Sequence, residues 1–599
     1  MRERNRSGAS VSNANIRYLT VIGALFGTLA LAGPRQPAEE LVGLWKAKRW
    51  FGPEARGPLV IQRTGSTYIA EMMAWTLPVR AERGELSFDL PDAKGSFRGR
   101  LQARGAIRGA WFPPPSIAMG GHATPVTLNP DGPDRWSGQI VPFDDAFTFY
   151  LLVRQRPDGS LGVVLRNPER DFGAWLGADR LVREGNVVRL FGKRRGQTEE
   201  REVASGSYDA DNRTITLGFW SRGGTYDFRR DGEESDFYPR GKSPGRYVYR
   251  PPPARADGWP TGTVDGAGID RAGVERFIQT IIDMPMDSVD APQVHGLLIA
   301  RHGRLVLEEY FHGEHRDKLH ETRSAAKSLT ATIVGAALQE RAPLKLSTPV
   351  YQIMNGGTFP ADLEPRKRAM TLEHLLTMSS GYFCDDANPD APGNEETMQD
   401  QTDEPDWYRY TLRVPMAGAP GEKAIYCSAN PNLALGVVSR ATGESPLDTF
   451  DRLLGTPLKI TRYGWPTDPA GHPYGGGGVQ FLPRDFMKLG QLMLNGGTWE
   501  GRRILGREFV ARASSPLYQI GDRGYGYLWW GVDYPYQGRR IHGFSALGAG
   551  GQLVMVLPEL DLVIAYYGAN YSSRGWRFVQ QKLIPESILP TVAAGRSQR

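Results

Sequence analysis

The sequence is poor in cysteine: Cys384 and Cys427 are the only two in 599 residues. That excludes a small disulfide scaffold, and no cysteine pair has the spacing that opens a zinc finger. Charge of one sign is also lacking. Lys and Arg number 72 against 66 Asp and Glu, and the arginines are scattered rather than blocked. With no basic run carrying interleaved aromatics and no helix-turn-helix pattern, nucleic acid is not expected as a partner. No serine sits in G-x-S-x-G, which argues against the nucleophile elbow of an α/β-hydrolase. His312-Gly-Glu-His315, with His320 nearby, lacks the H-E-x-x-H spacing and reads as a polar loop, so no metal or cofactor is expected. The glycine run 475–478 lacks the trailing Lys and Ser/Thr of a phosphate cradle and reads as a tight turn near a cleft rim. No strict internal repeat is found.

What is present points to an exported, multidomain chain, because 599 residues exceed what one core accommodates. Residues 1–32 read as a signal peptide: Arg2, Arg4, Arg6 and Arg17 flank an apolar run from Leu19 to Leu31 that ends in Ala30-Leu-Ala32. The run is short for a full span and is broken by Gly23, Gly27 and Thr28. A membrane contact is expected only if this segment stays uncleaved. The rest of the chain is then periplasmic or secreted, where a bridge between Cys384 and Cys427 is permitted but not dictated.

Residues 38–250 read as an all-β accessory domain. Runs such as Leu86-Ser-Phe-Asp-Leu90 and Phe147-Thr-Phe-Tyr-Leu-Leu-Val153 are separated by turns such as Arg156-Pro-Asp-Gly159. Many short strands at even spacing predict a barrel or sandwich, and Gly43-Leu-Trp45 resembles the opening of a lipocalin-like barrel. A Pro-rich linker is placed at 251–262. Residues 263–592 form the next domain. It opens with an amphipathic helix carrying Val274, Phe277, Ile278, Ile281 and Ile282. Strands at 295–300 and 304–310 come next, then a largely helical stretch to about residue 495. Strands at 552–557 and 560–566 precede a final helix around 576–588. Strands at both ends with helices between predict an α+β domain: one antiparallel sheet flanked by helices, with a helical insertion.

Ser324 and Lys327 lie on one face of a helical turn, so hydroxyl and amine can touch. A hydroxyl becomes a nucleophile when a neighbouring base takes its proton, and a lysine desolvated by burial can be that base. Four further segments extend this pair: HLLTMSSGY at 374–382, PGEKAIYCSANPNLALGVVSRATG at 420–443, GGGGVQFLPRDFMKLGQLMLNGG at 475–497 and FSALGAGGQLVMVLPELDLVI at 544–564. With RSAAKS at 323–328, their order resembles the penicillin-recognising serine hydrolases, that is, class C β-lactamases, D-alanyl-D-alanine carboxypeptidases and their esterase and nylon-oligomer-hydrolase relatives. The resemblance covers roughly the last 340 residues, a size consistent with one fold. It implies Ser324 as nucleophile, Lys327 as its base and Tyr426 as proton relay. The family's Tyr-x-Asn reads here Tyr426-Cys427-Ser428, so Ser428 or Asn430 is expected to hold the substrate in place of the missing asparagine. Lys-Thr-Gly aligns with Ala546-Leu547-Gly548, which removes the strand cation. Gly548 and Gly550 would let a backbone approach the acyl group, and the N–H groups of Ser324 and Ala549 would form the oxyanion hole.

The pattern is most similar to the nylon-oligomer-hydrolase and esterase branch. The expected activity is that of an exported serine hydrolase, working without a cofactor on a small-molecule or peptide-like ester or amide. A D,D-carboxypeptidase or weak β-lactamase is the alternative within this fold. A catalytically silent binding protein is the alternative outside catalysis. Oligomeric state is not legible.

Overall fold

The computed structural model describes residues 38–593, apart from 53–54, 104, 116–119, 144, 171 and 195. The signal segment expected at 1–32 lies outside the described residues. Among them, no helix is long and apolar enough to cross a membrane.

The all-β region is two closed rings, one inserted in the other. Strand Gly43–Gly52 pairs with Asp145–Gln155 and with Gly224–Arg230, and the strands between these last two complete an eight-stranded barrel. Along Asp145–Gln155, Phe147, Phe149, Leu151 and Val153 point into the barrel core, while Tyr150 and Leu152 pack outward against Phe237 and Met286. This is the period-2 alternation of a strand with both faces covered. Trp45 is fully buried in the core, donates from Nε1 to the Leu41 carbonyl at 2.8 Å, and carries the Arg230 guanidinium 4.1 Å from its ring. The barrel interior is filled by aromatic side chains, including Phe149 and Phe219 stacked at 4.3 Å. It is a packed core, not a lipocalin-type cup.

Between the first two strands of that barrel lie eight more, from Gly57–Thr64 to Arg135–Ile140. Each pairs antiparallel with the next, and the last returns to the first. This second ring is joined to the C-terminal domain through its backbone. Its strand His122–Pro130 pairs with Tyr463–Pro466 of that domain, in the register Trp465↔Ala123 and Pro466↔His122. Through Gln480–Phe481 the sheet continues to His320–Glu321, just ahead of Ser324. Gly464 is required on that bridge, since a Cβ there would sit 1.2 Å from the ring of Phe143.

The C-terminal domain holds an eight-stranded antiparallel sheet. The hairpin Val294–Arg301 and Arg304–Tyr310 lies at one edge, and Val294–Arg301 pairs with Leu562–Gly568 from the other end of the chain. The sheet is thus closed by both ends of the domain, as the strand order predicts. Helix Pro483–Leu494 packs against it where Gly490 brings the backbone close, a Cβ there lying 2.6 Å from Val554 Cγ1. The final helix is a π-helix, Val579–Ile588, which accommodates Pro585.

The Pro-rich linker is fastened rather than free. Arg484, 4% exposed, reaches the Pro253 carbonyl at 2.9 Å, Asp257 at 2.9 Å, and both oxygens of Glu308 at 2.9 and 2.6 Å. The Trp259 indole N–H in turn donates to the Arg484 carbonyl at 3.1 Å. Because the Glu308 side chain is 0% exposed, removing its bidentate partner leaves a buried carboxylate short of compensation. Arg484→Ala is therefore expected to lower stability by about 3–5 kcal/mol, read as a lower denaturant midpoint for the C-terminal domain.

Candidate active site

Ser324 stands in a single 3-10 turn, Arg323–Ala326, that runs directly into helix Lys327–Gln339. Three residues on, the Lys327 ammonium donates to Ser324 Oγ at 3.0 Å and to the Gly476 carbonyl at 2.5 Å. The expected turn at 475–478 thus supplies acceptors: Gly475 also takes the Thr330 hydroxyl at 2.8 Å. Gly477, at φ 153°, leaves room for the carbonyl of Arg323, which a Cβ would approach to 3.0 Å.

Tyr426 faces Lys327 from the loop before helix Ala429–Thr442, its ring centroid 4.9 Å from Nζ. Trp530 stacks on that ring at 5.5 Å and Tyr525 meets it edge-on at 6.4 Å. On the third side is the end of strand Arg539–Leu547. Gly548 is required there, because a Cβ would lie 2.4 Å from the Thr322 carbonyl and 3.0 Å from the Ala325 amide. The next residue, Ala549, is exposed and lines a cavity together with Ser324. Gly550, at φ 82°, lies against the Tyr571 ring.

Residues 280–573 match the family model described as Beta-lactamase. The chain is 25% identical over 309 residues to the 6-aminohexanoate-dimer hydrolase of Paenarthrobacter ureafaciens, spanning 48% of this chain and 76% of that protein. Solved structures with a similar trace include a penicillin-binding protein from Bacillus halodurans, with TM-score 0.38 and 18% identity over 48% of this chain and 95% of that one. A penicillin-binding protein homologue from Caulobacter crescentus gives 0.39 and 15% over 51% and 95%. The C-terminal domain is thus similar to the β-lactamase-related serine hydrolases. Both β rings precede the matched residues.

Two of the expected substrate-holding residues are fully buried in the structure. Ser428 and Asn430 are 0% exposed and neither lines the cleft. The chain turns inward at the start of helix Ala429–Thr442. Ser428 spends both its N–H and its hydroxyl on Asp386 Oδ2, at 2.8 and 2.6 Å, and Asn430 Nδ2 lies 3.8 Å from Met378 Sδ. Ala546 is also turned into the hydrophobic core, leaving Leu547 to line the cleft. The loop carrying Asp386 is joined to that carrying Tyr426 by a disulfide, Cys384 to Cys427, with Cα atoms 5.5 Å apart.

No sequence pattern singles out the acidic residues behind Lys327. Asp386 and Glu395 sit in a charge-rich insertion that pattern alone reads as solvated. In the fold, Asp386 Oδ1 accepts from the Glu395 amide at 3.1 Å, and the Tyr474 hydroxyl donates to Glu395 at 2.6 Å. Burial pushes the Lys327 amine down, but Tyr426, Glu395 and Asp386 together outweigh burial and hold it above its ordinary value. The resting group is an ammonium. Lys327 was expected as the base on the ground of desolvation, and here the neighbouring charges outweigh desolvation.

The cleft has two lobes meeting at Arg323, Ser324, Glu396 and Ala549. One, of about 860 Å³, is lined by Tyr426, Trp530, Tyr571 and Trp576. The other, about 1230 Å³, lies between the C-terminal domain and the second β ring, which contributes Arg98, Phe112, Pro113 and His122. The β region is therefore a wall of the cleft.

The electrostatics yield a pH prediction. Lys327 is held above its ordinary value, so its cation persists as pH rises; removing one supporting carboxylate lowers that value. Asp386→Asn should therefore move the alkaline limb of the kcat/KM profile to lower pH by about 1 unit, the low end for loss of a neighbouring charge. An unmoved limb would show that Asp386 does not act on Lys327.

Proposed function

We propose that this protein is an exported serine hydrolase that cleaves an ester or amide through an acyl-Ser324 intermediate. The observation that carries the reading is the 3.0 Å contact of the Lys327 ammonium with Ser324 Oγ, beside Tyr426 and at the glycine-lined end of a sheet strand. Tyr426 takes the Ser324 proton as the relay, beside the Lys327 cation. The freed oxygen attacks the carbonyl carbon, and the developing oxyanion accepts from the N–H groups of Ser324 and Ala549. Tyr426 returns the proton to the leaving group, and water then releases the acyl group by the same route in reverse. The role of Lys327 is thus to hold a hydroxyl and a phenolate in place by charge, not to carry the proton away.

One feature supports neutral esters and amides as the substrate class. The strand end that would carry a cation presents the apolar Leu547 to the cleft, Ala546 being buried in the core, and a charged hydrogen bond forgone amounts to about 1.5–3 kcal/mol.

Ser324→Ala is expected to abolish turnover and labelling by a fluorophosphonate with the fold intact; labelling that persists would overturn the assignment. Tyr426→Phe should slow acylation by roughly 10²–10⁴-fold, the range for an acid–base group. Side-by-side assays on p-nitrophenyl esters, nitrocefin and a D-Ala-D-Ala peptide should favour the esters. Efficient nitrocefin hydrolysis with negligible esterase activity would instead promote the β-lactamase alternative.

A further inference from the structure

We propose that Arg170, a residue of the first β-barrel, is a positioning residue for hydrolysis at Ser324. The proposal rests on the reading of Ser324 as nucleophile, and on a continuous chain of contacts from the barrel to that turn. Within the barrel, the fully buried Asn167 donates to the carbonyl of Thr148 at 2.7 Å and accepts from the Arg170 amide at 2.8 Å. Arg170 is thereby fixed to a barrel strand at its backbone. Its guanidinium then crosses to the C-terminal domain and pairs with Glu321 Oε2. Burial lifts the Glu321 carboxyl, but Arg170 and Arg323 outweigh burial and hold it below its ordinary value, so it is charged.

The other oxygen of Glu321 lies 3.3 Å from Arg323 Nε. Arg323 immediately precedes Ser324 and adopts φ 51°, the left-handed region that a non-glycine residue enters only against a steric cost. Its guanidinium also lies 4.9 Å from the centroid of the Tyr571 ring. One carboxylate thus divides its two oxygens between an arginine anchored in the barrel and the arginine whose backbone sets the angle of Ser324. Two short strands, His320–Glu321 and Gln480–Phe481, hold the same turn from the side of the second ring. A planar, two-pronged guanidinium can fix a carboxylate in orientation, which a lysine ammonium does less well.

Arg170 also lines the larger lobe of the cleft, so a direct contact with substrate is the rival account, and the two differ in kinetics. A positioning residue alters how Ser324 is aimed, which acts on the chemical step for every substrate. A contact residue alters binding. In the full-length protein, Arg170→Gln should lower kcat on a p-nitrophenyl ester by about 10- to 100-fold, the order expected for a small misplacement of a reacting group. The rate of fluorophosphonate labelling should fall by the same factor while KM stays within about twofold. Arg170→Lys, which keeps the charge and tests the proposal should the Gln variant not fold, should recover part of the loss. Arg170→Gln combined with Glu321→Gln should lose no more than Glu321→Gln alone, because both act through one contact. A raised KM with unchanged kcat, unchanged labelling by both Arg170 variants, or additive losses in the double variant would each overturn the proposal. Ser324→Ala is the control that separates it from the reading beneath it: probe labelling that survives in Ser324→Ala defeats the nucleophile assignment, whereas loss of labelling there with full labelling of Arg170→Gln defeats only the brace.

Discussion

The structure of the site depends on one buried charge. Lys327 is 1% exposed, and an ammonium taken out of water to that extent is tolerable only with opposite charge and hydrogen-bond acceptors arranged around it. Its contacts come from distant parts of the chain, the Ser324 hydroxyl one turn back, the Gly476 carbonyl and the Tyr426 ring, and the carboxylates of Asp386 and Glu395 favour its charge from further off. None of these segments is ordered by its own propensity. Glycines carry one, a loop ahead of a helix another, and an acidic insertion the third. The cation gives each a reason to be where it is, and the Cys384–Cys427 bridge ties the last two together.

The same requirement explains why the all-β region cannot be treated as an appendage. A cleft that excludes water strengthens the electrostatics inside it, and the C-terminal domain alone does not wall off the larger lobe. The second ring does so with Phe112, Pro113 and His122, and it is attached by main-chain pairing of His122 and Ala123 to Pro466 and Trp465 rather than by side chains alone. A joint of that kind has register, so the wall is set in place to the residue.

Much of this was legible in the sequence, and what was not has identifiable causes. The strand–helix–strand order and the S-x-x-K turn were readable because local patterns carry them: period 2, period 3.6, and a three-residue spacing on one helical face. The two rings were not separable, because closure depends on which strands pair, and alternation is the same in a barrel, a sandwich or two nested barrels. The burial of Ser428 and Asn430 was not legible for a different reason. Sequence gives their distance along the chain from Tyr426, but not that both are fully buried at the start of helix Ala429–Thr442 and outside the residues lining the cleft. Ala546 shows the period-2 rule at its sharpest: it lies in the core and its neighbour Leu547 lines the cleft. Asp386 and Glu395 were invisible because acidic residues in a long loop have a bland reading that is usually right, and only the approach of a buried cation changes it.

The turn before Ser324 concentrates the cost of this arrangement. Arg323 at φ 51° forgoes about 1–2 kcal/mol relative to a right-handed residue, and glycine, which would adopt that conformation freely, is not used. The side chain accounts for the choice. Glycine could adopt the backbone angle but could not pair with Glu321 or lie over Tyr571, and without those contacts the turn would be permitted rather than imposed. The backbone helps hold the strained residue: the Arg323 carbonyl accepts from the Gly478 amide at 3.1 Å, and the preceding Thr322 is bonded through both N–H and hydroxyl to Val479, at 3.0 and 2.6 Å. Strain persists in a native state only where the surroundings over-determine it. Here they do so from three directions, the glycine run, the Tyr571 face and the carboxylate shared with the barrel. The result is a Ser324 whose orientation is fixed before any substrate arrives, the kind of preorganisation on which a positioned reacting group depends.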